Sequence, residues 1–146
     1  MARICDGQAS LCMTATLVAY CTTNTHAPSR SWNMDASSIT AAAVPFVRAL
    51  RAANVTAPVW LAEGLPFGRN WAVPAEAAAQ AASNVALATA FAQLRADGDG
   101  NVFYITTEQL YSEESVQDSA TAAGLHATDA GFHDMAQAWV SALSPT

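Results

Sequence analysis

Two short, uninterrupted apolar runs stand out along the chain, one over residues 57–62 and one over residues 101–106. Runs of this length, bounded by turn residues, are typical of strands buried on both faces of a parallel sheet. Two strands are too few for a stable sheet. The one other candidate in the first part of the chain is a weaker run at residues 17–21, so we expect a third strand, if the chain supplies one, to form there.

An alanine-rich stretch with helical spacing begins near Ser37 and ends at Asn54. Proline suits the first turn of a helix and breaks an interior turn, so Pro45 is expected to restart or kink this helix. The apolar stripe predicts one buried face, which leaves Arg48 and Arg51 on the solvent side.

Two further helices complete the pattern. Pro74 starts a long alanine-rich helix that runs to about Ala96, and a turn follows at residues 97–100. Residues 107–125 are predicted to be irregular. The last helix follows the capping residues Thr128 and Asp129, and its apolar positions recur at helical spacing: Phe132, Met135, Ala136, Trp139, Val140 and Leu143. Alternating helices and strands imply right-handed βαβ connections, and therefore an α/β domain of three layers with a parallel sheet.

Charge and composition exclude several classes of function. With 6 basic and 12 acidic residues the net charge is −6, which argues against nucleic acid as a partner. The chain has no lysine, so Schiff-base chemistry and a phosphate-binding P-loop are excluded. Residues 11–21 are too few and too rich in threonine to span a membrane. No convincing signal-peptide cleavage site follows them, and the sequence indicates no compartment.

Metal sites are not expected. Cys5, Cys12 and Cys21 lack the spacing of zinc ligands, and buried thiols are a simpler reading than a disulfide with one thiol left over. Residues 97–108 half match a calcium loop, but a valine stands where that loop needs glycine. A last possible ligand set lies near the final helix, where the helix dipole already favours acidic residues; it comprises His126, Asp129, His133 and Asp134. We therefore expect neither a metal nor a cofactor.

His126 lies in a short turn that leads directly into the capped C-terminal helix. An imidazole held there could be presented to a cleft as a general base, although an ordinary loop histidine is the alternative. Serine hydrolase chemistry also needs a nucleophile and donors for an oxyanion. Asn33 is the candidate donor, because its neutral amide N–H can stabilise a tetrahedral oxyanion without competing for protons.

Four segments resemble the SGNH (GDSL-type) hydrolases in order and spacing, over about residues 31–143. Those around residues 45–51 and 124–132 are the most specific. The resemblance implies a flavodoxin-like α/β/α sandwich and hydrolysis of esters, often of acylated sugars or lipids. It also implies that His126 is the catalytic base and Asn33 the oxyanion asparagine. The segments are Trp32-Asn33-Met34, Pro45-Phe46-Val47-Arg48-Ala49-Leu50-Arg51, Pro58-Val59-Trp60-Leu61-Ala62-Glu63-Gly64 and Gly124-Leu125-His126-Ala127-Thr128-Asp129-Ala130-Gly131-Phe132.

The chain also departs from that family. The family's nucleophile lies in a Gly-Asp-Ser motif, which this sequence lacks; Ser10 ends its nearest imitation. The triad aspartate should stand three residues before the histidine, where this chain has Ala123, so Asp118 is the nearest replacement. No strongly apolar strand leads into Asn33. We therefore expect a partial SGNH-like domain at residues 31–146, incomplete at its N-terminus, after an atypical segment at residues 1–30.

The function expected from the resemblance is that of a serine ester hydrolase, impaired or truncated, acting on a small-molecule ester such as an acylated sugar or lipid. The alternative is a non-catalytic binding or interaction remnant of the same fold. A serine hydroxyl within reach of His126 would separate the two. Asn33 and His126 should share one cleft at the carboxyl ends of the strands, with Trp32 or Phe67 lining it. The sequence leaves the oligomeric state open.

Overall fold

The structure, a computed structural model, describes residues 17–20, 35–64, 72–111, 121–122 and 126–143. Within these residues, helices and strands alternate along the first two thirds of the chain. The elements are β1 (Leu17–Tyr20), α1 (Ala36–Ala52), β2 (Val59–Ala62), α2 (Pro74–Ala96), β3 (Val102–Ile105), α3 (Thr107–Leu110), β4 (Thr121–Ala122), β5 (His126–Ala127) and α4 (Asp129–Leu143).

The three longer strands form one parallel sheet in the order β1-β2-β3. Val59 of β2 lies opposite Leu17 on one side and Val102 on the other, so the first residues of the three strands are aligned across the sheet. This confirms that the two apolar runs are parallel strands of one sheet. The third strand forms from the weak run at residues 17–21, the one candidate in that part of the chain. This corrects the expectation that residues 1–30 lack a strand ahead of Asn33.

Both faces of the sheet are covered, which explains why the strands read as continuous apolar runs. Val59, Leu61 and Val102 point to one face, where the buried residues of α1 and α2 pack against them. Ala62 and Ile105 point to the other face, which α3 and α4 cover. The layers are therefore α1 and α2, the sheet, and then α3 and α4, which confirms the three-layer α/β prediction. The residues of α4 that pack there are Met135, Ala138, Trp139 and Ala142.

Helix α1 begins at Ala36, one residue before Ser37, because Asp35 caps it. The Asp35 carboxylate accepts hydrogen bonds from the Ser38 backbone N–H and the Ser37 hydroxyl, both at 2.7 Å. These donors hold the pKa of Asp35 below its ordinary value. The helix runs through Pro45 without restarting. Burial of Val44 and Val47 on either side of the proline offsets the backbone hydrogen bond that proline cannot donate.

Two short elements lie where the sequence predicted irregular chain. The first is α3, whose start is fixed by a capping box: the Thr106 hydroxyl accepts from the Gln109 N–H, and the Gln109 side chain accepts from the Thr106 N–H. The second is the antiparallel pair of β4 and β5, in which Ala122 lies opposite His126. His126 therefore lies in a short strand rather than in a turn, two residues before Thr128.

Arg51 ties together three segments at the amino-terminal edge of the sheet. Its guanidinium donates to the Asp99 carboxylate, with Nε 2.8 Å from Oδ2. It also donates to three backbone carbonyl oxygens at 2.8–2.9 Å, those of Val55, Ala57 and Asn101. These residues lead out of α1, into β2 and into β3. The prediction that Arg51 faces solvent is wrong, because this set of acceptors holds its side chain at 23% exposure.

A second ion pair joins the same helix to the same turn, but at the surface. Arg48 donates to Asp97 at 2.5 Å, with the two side chains 56% and 42% exposed. Asp99, by contrast, is 15% exposed, and the Arg51 hydrogen bond is the main cause that lowers the pKa of its carboxyl. Asp97 and Asp99, the two aspartates of the half-matched calcium loop, are thus both bound by arginine.

Replacing Arg51 with alanine should lower the free energy of unfolding by about 2–4 kcal/mol, because the Asp99 carboxylate loses its ion-pair partner and three carbonyl oxygens lose the guanidinium donor. Urea denaturation followed by circular dichroism measures this loss. The matched control is Arg48→Ala, which removes an exposed pair and should cost less than about 1 kcal/mol. Equal losses in the two variants would contradict the assignment of Arg51 as the tie.

Candidate functional site

The carboxyl edge of the sheet is where an open α/β fold places its ligands. Ala62 and Ile105 lie opposite each other at the ends of β2 and β3. The residues that follow, Glu63 after β2 and Thr106 and Thr107 after β3, therefore meet at one edge. This edge carries a group of polar contacts that link β2, β3 and α3.

Glu63 is at the centre of these contacts. Its Oε1 accepts a hydrogen bond from the Tyr104 hydroxyl at 2.5 Å, and its Oε2 accepts one from the Thr107 backbone N–H at 2.7 Å. The Thr107 hydroxyl donates in turn to the Gly64 carbonyl oxygen at 3.0 Å. Both oxygens of the carboxylate are thus engaged, each by a different element of the fold.

The Tyr104 side chain reaches this carboxylate from inside the domain. Its ring stacks on Phe91 of α2, with centroids 5.4 Å apart. Its hydroxyl also lies 3.4 Å from the Asn84 carbonyl oxygen. Burial raises the pKa of the Tyr104 hydroxyl well above its ordinary value, and the hydrogen bond to Glu63 and the negative charge of Glu63 raise it further. Tyr104 therefore acts as a neutral donor to Glu63.

Contacts between helices lead from this group to the segment that carries His126. Helix α3 packs against α4. Tyr111 directly follows α3, and its hydroxyl donates to the Met135 sulfur at 3.1 Å. Helix α4 contacts β5, which contains His126. Thr128 caps α4, since its hydroxyl accepts from the Gly131 N–H at 3.3 Å, as its position in the sequence predicted.

Of the predicted site residues, the structure describes the backbone of His126 in β5. Asn33, Ser10 and Asp118 lie outside the described residues, as does Ala123. Trp32 and Phe67, proposed to line the cleft, lie outside them too. The shared cleft of Asn33 and His126, and the roles of all four site residues, stay predictions.

The carboxylate at residue 63 is what sequence reasoning missed. Glu63 and Gly64 looked like a simple stop to a strand. A charged residue directly after a buried parallel strand is itself a signal, because that position lies at the ligand-binding edge of the sheet. Tyr104 was missed for a similar reason, since a single hydroxyl group inside an apolar run is typical of a buried core residue.

An open groove of about 980 Å³ lies beside β3, between α2 and α4. On the side of α4 its floor is aromatic: Trp60 stacks on Phe103 with centroids 4.9 Å apart, and Trp139 meets Trp60 edge-on at 5.8 Å. Phe103 is 37% exposed. None of the described residues that line this groove is one of the predicted site residues.

Neither a metal cluster nor a membrane span is found in the part of the chain that the structure describes. There, no three side chains of histidine, cysteine, aspartate or glutamate come together as a metal site requires. None of the described helices is long and apolar enough to cross a membrane.

The match to a known family covers most of the chain. Residues 20–144 match the model of the GDSL-like lipase/acylhydrolase family, and the chain belongs to that family. This confirms the resemblance to GDSL-type hydrolases. No curated protein matches the sequence.

Two solved structures share the fold. One is a protein from Bacteroides ovatus ATCC 8483 described as a GDSL-like lipase, with 24% sequence identity and a TM-score of 0.67, matched over 77% of this chain and 32% of its own. The other is the salicylyl-acyltransferase SsfX3 from a tetracycline biosynthetic pathway, with 19% identity and a TM-score of 0.57, matched over 73% of this chain and 31% of its own. The present chain thus spans about a third of either structure. The family match therefore shows membership of the GDSL-like lipase/acylhydrolase family, and the two structures show that the fold is shared.

Tyr104 should stay protonated at pH values near 10, where an ordinary tyrosine ionises. Because its pKa is higher in the folded state than in the unfolded state, its contribution to stability is complete below pH 10 and is lost as the pH rises toward the folded pKa. Tyr104→Phe should leave the tyrosinate absorbance gained near pH 10 unchanged. If that variant removed one tyrosine's share of the absorbance, Tyr104 would be titrating normally.

Proposed function

We propose that this chain is a GDSL-type serine ester hydrolase whose activity is impaired, with a small acyl ester, such as an acylated sugar or lipid, as its substrate. One observation carries the proposal: the chain belongs to an acylhydrolase family, and the His126 segment, which resembles that family's base segment in sequence, lies directly before a capped helix. In this proposal His126 is the general base and Asn33 the donor to the oxyanion.

The proposed reaction needs four events at one carbonyl group. His126 takes the proton of an attacking hydroxyl, from Ser10 or from water, as its oxygen bonds to the carbonyl carbon. The carbonyl oxygen becomes an oxyanion that accepts a hydrogen bond from the Asn33 amide. The tetrahedral intermediate then breaks its bond to the alkoxide, which takes the proton from the imidazolium and leaves as an alcohol. With water as the attacking group the acid is released directly; with Ser10 a second round of the same steps releases it.

The impairment follows from two features of the sequence. Ala123 stands where the family has its triad aspartate, and a methyl group neither orients an imidazole nor stabilises its charged form. Loss of that aspartate costs about 10⁴ in rate in a serine protease. The sequence also lacks a Gly-Asp-Ser motif. A lone oxyanion donor contributes about 10²–10³, and only once a nucleophile has attacked.

A non-catalytic binding or interaction module of the same fold is the second candidate. Ala123 is the observation that favours it, because a site released from catalysis has no need of the aspartate. Such a module would have no chemical use for His126. The two candidates therefore differ in whether restoring the aspartate restores chemistry.

The purified chain should hydrolyse an activated acetate ester little faster than buffer does, and His126→Ala should change that rate hardly at all. The measurement is the initial rate of p-nitrophenyl acetate hydrolysis against a buffer blank. Rapid turnover abolished by both His126→Ala and Ser10→Ala would contradict the predicted impairment, because it would show an intact nucleophile and base.

Ala123→Asp should raise the rate by about 10- to 100-fold, because an oriented imidazole can act as a general base, and such catalysis contributes 10²–10⁴ in rate. The gain should disappear in the double variant Ala123→Asp, His126→Ala. Ala123→Asn is the matched control, since it adds similar volume without the charge that stabilises the imidazolium.

Absence of any gain in a folded Ala123→Asp variant would favour the binding module instead. A gain that survives removal of His126 would also count against the proposed base. Ser10→Ala in the Ala123→Asp background separates the two nucleophiles, since a gain that persists assigns the attack to water.

A further inference from the structure

Glu63 links three elements of the carboxyl edge through one carboxylate. It follows the last residue of β2, accepts from the Tyr104 hydroxyl of β3, and accepts from the first backbone N–H of α3 at Thr107. Among the described residues no arginine or histidine forms an ion pair with it. Its described partners are thus neutral donors whose positions the fold sets.

Helix α3 depends on such links, because it is only four residues long. A helix of that length is unstable on its own. Besides burial of Leu110, its start is fixed by the Thr106–Gln109 capping box and by the Glu63 carboxylate. Removing the carboxylate leaves the Thr107 N–H without its described acceptor and frees the start of the helix from the end of β2.

Contacts through α4 connect α3 to the segment that contains the proposed base. Leu110 and Tyr111, at the end of α3, are buried in the cluster that includes Met135 and Trp139 of α4. Tyr111 also donates to the Met135 sulfur. Helix α4 begins at Asp129 and contacts β5, so a shift of α3 reaches the strand that contains His126.

We propose that Glu63 is a positioning residue for His126: its carboxylate fixes the start of α3 to the end of β2, and α3 in turn fixes α4 and β5. This inference rests on the proposed function, in which His126 is the general base. Glu63 does not itself touch the reacting atoms. Its role depends on the hydrogen bonds that its side chain makes to Tyr104 and Thr107, and not on its negative charge.

Two variants separate the effect of the hydrogen bonds from the effect of the charge. Glu63→Ala removes both the hydrogen bonds and the charge. Glu63→Gln removes only the charge, since the amide oxygen can still accept from the Thr107 N–H while the amide nitrogen donates to the Tyr104 oxygen. The Tyr104 hydroxyl hydrogen then turns to the Asn84 carbonyl, which is already 3.4 Å away. Glu108→Ala is the matched control, because it removes one exposed carboxylate from the same short helix.

The first measurement needs no substrate. The ring signals of His126 are followed by NMR through a pH titration, with His26 and His133 as internal references assigned by their alanine variants. Glu63→Ala should shift the His126 titration and raise the exchange rate of the Thr107 amide by tenfold or more. Glu63→Gln and Glu108→Ala should change neither. Tyr104→Phe, which removes one of the two bonds and keeps the other, should shift the His126 titration less than Glu63→Ala does.

Equal shifts in Glu63→Ala and Glu63→Gln would overturn the proposal, since the charge alone would then explain them. An unchanged His126 titration in Glu63→Ala would overturn it as well. If Glu63→Ala does not fold, Tyr104→Phe and Glu63→Gln decide the question by the same signals.

The second measurement is the rate of ester hydrolysis in the Ala123→Asp background. There Glu63→Ala should lower kcat by about 10- to 100-fold with KM unchanged, as expected for a displaced catalytic group, and Glu63→Gln should keep kcat near its value in that background. An unchanged kcat in Glu63→Ala would overturn the inference. If no variant shows hydrolysis that depends on His126, the proposed function fails, and the NMR titration still decides whether Glu63 positions the histidine.

Discussion

The set of hydrogen bonds that Arg51 donates is the constraint on which the rest of the domain depends. Parallel strands require crossovers, and the crossovers that enter β2 and β3 end in irregular chain whose carbonyl oxygens accept hydrogen bonds from Arg51. One guanidinium satisfies three of these oxygens together with the Asp99 carboxylate. A planar fork of five N–H donors can do this, whereas a lysine ammonium offers three from a single point. The register of β2 and β3 is thereby fixed at their first residues. Alternate side chains of both strands therefore pack against α1 and α2 on one face and against α3 and α4 on the other.

The two edges of the sheet are held by opposite kinds of group. At the amino edge a cation gathers backbone acceptors, and at the carboxyl edge an anion gathers donors from β3 and α3. The amino edge is formed by turns that leave long helices, and its geometry serves stability. The carboxyl edge leads into the shortest elements described, α3, β4 and β5. The parts that would position a reacting group are therefore the ones that depend most on individual side-chain contacts.

Long, repetitive features of the sequence predicted the framework well. The apolar runs at residues 57–62 and 101–106, and the proline that starts α2, correspond to elements of the structure because burial and backbone chemistry act there over many residues. Features that depend on one side chain and a distant partner were missed. Arg51 looked exposed on its helix because its acceptors lie in other segments, and α3 was too short to show a periodic pattern.

The motifs of the candidate site predicted the family, and family membership is established. The roles of His126, Asn33, Ser10 and Asp118 depend on side-chain geometry in parts of the chain that periodicity does not determine. Glu63 escaped notice because a carboxylate after a strand looks like a turn until its partners from β3 and α3 are known.

The order of the three strands also has a consequence for how the sheet assembles. Each strand pairs with the next one in the chain, and the helix between them packs on the same face each time. Among the three described strands, none has to be inserted between two others that are already paired. The sheet can therefore grow in one direction by repeating a single βαβ step, and each step closes a loop of one helix. Such growth places modest demands on chain entropy, and it leaves the outer edge of each newly added strand as the template for the next.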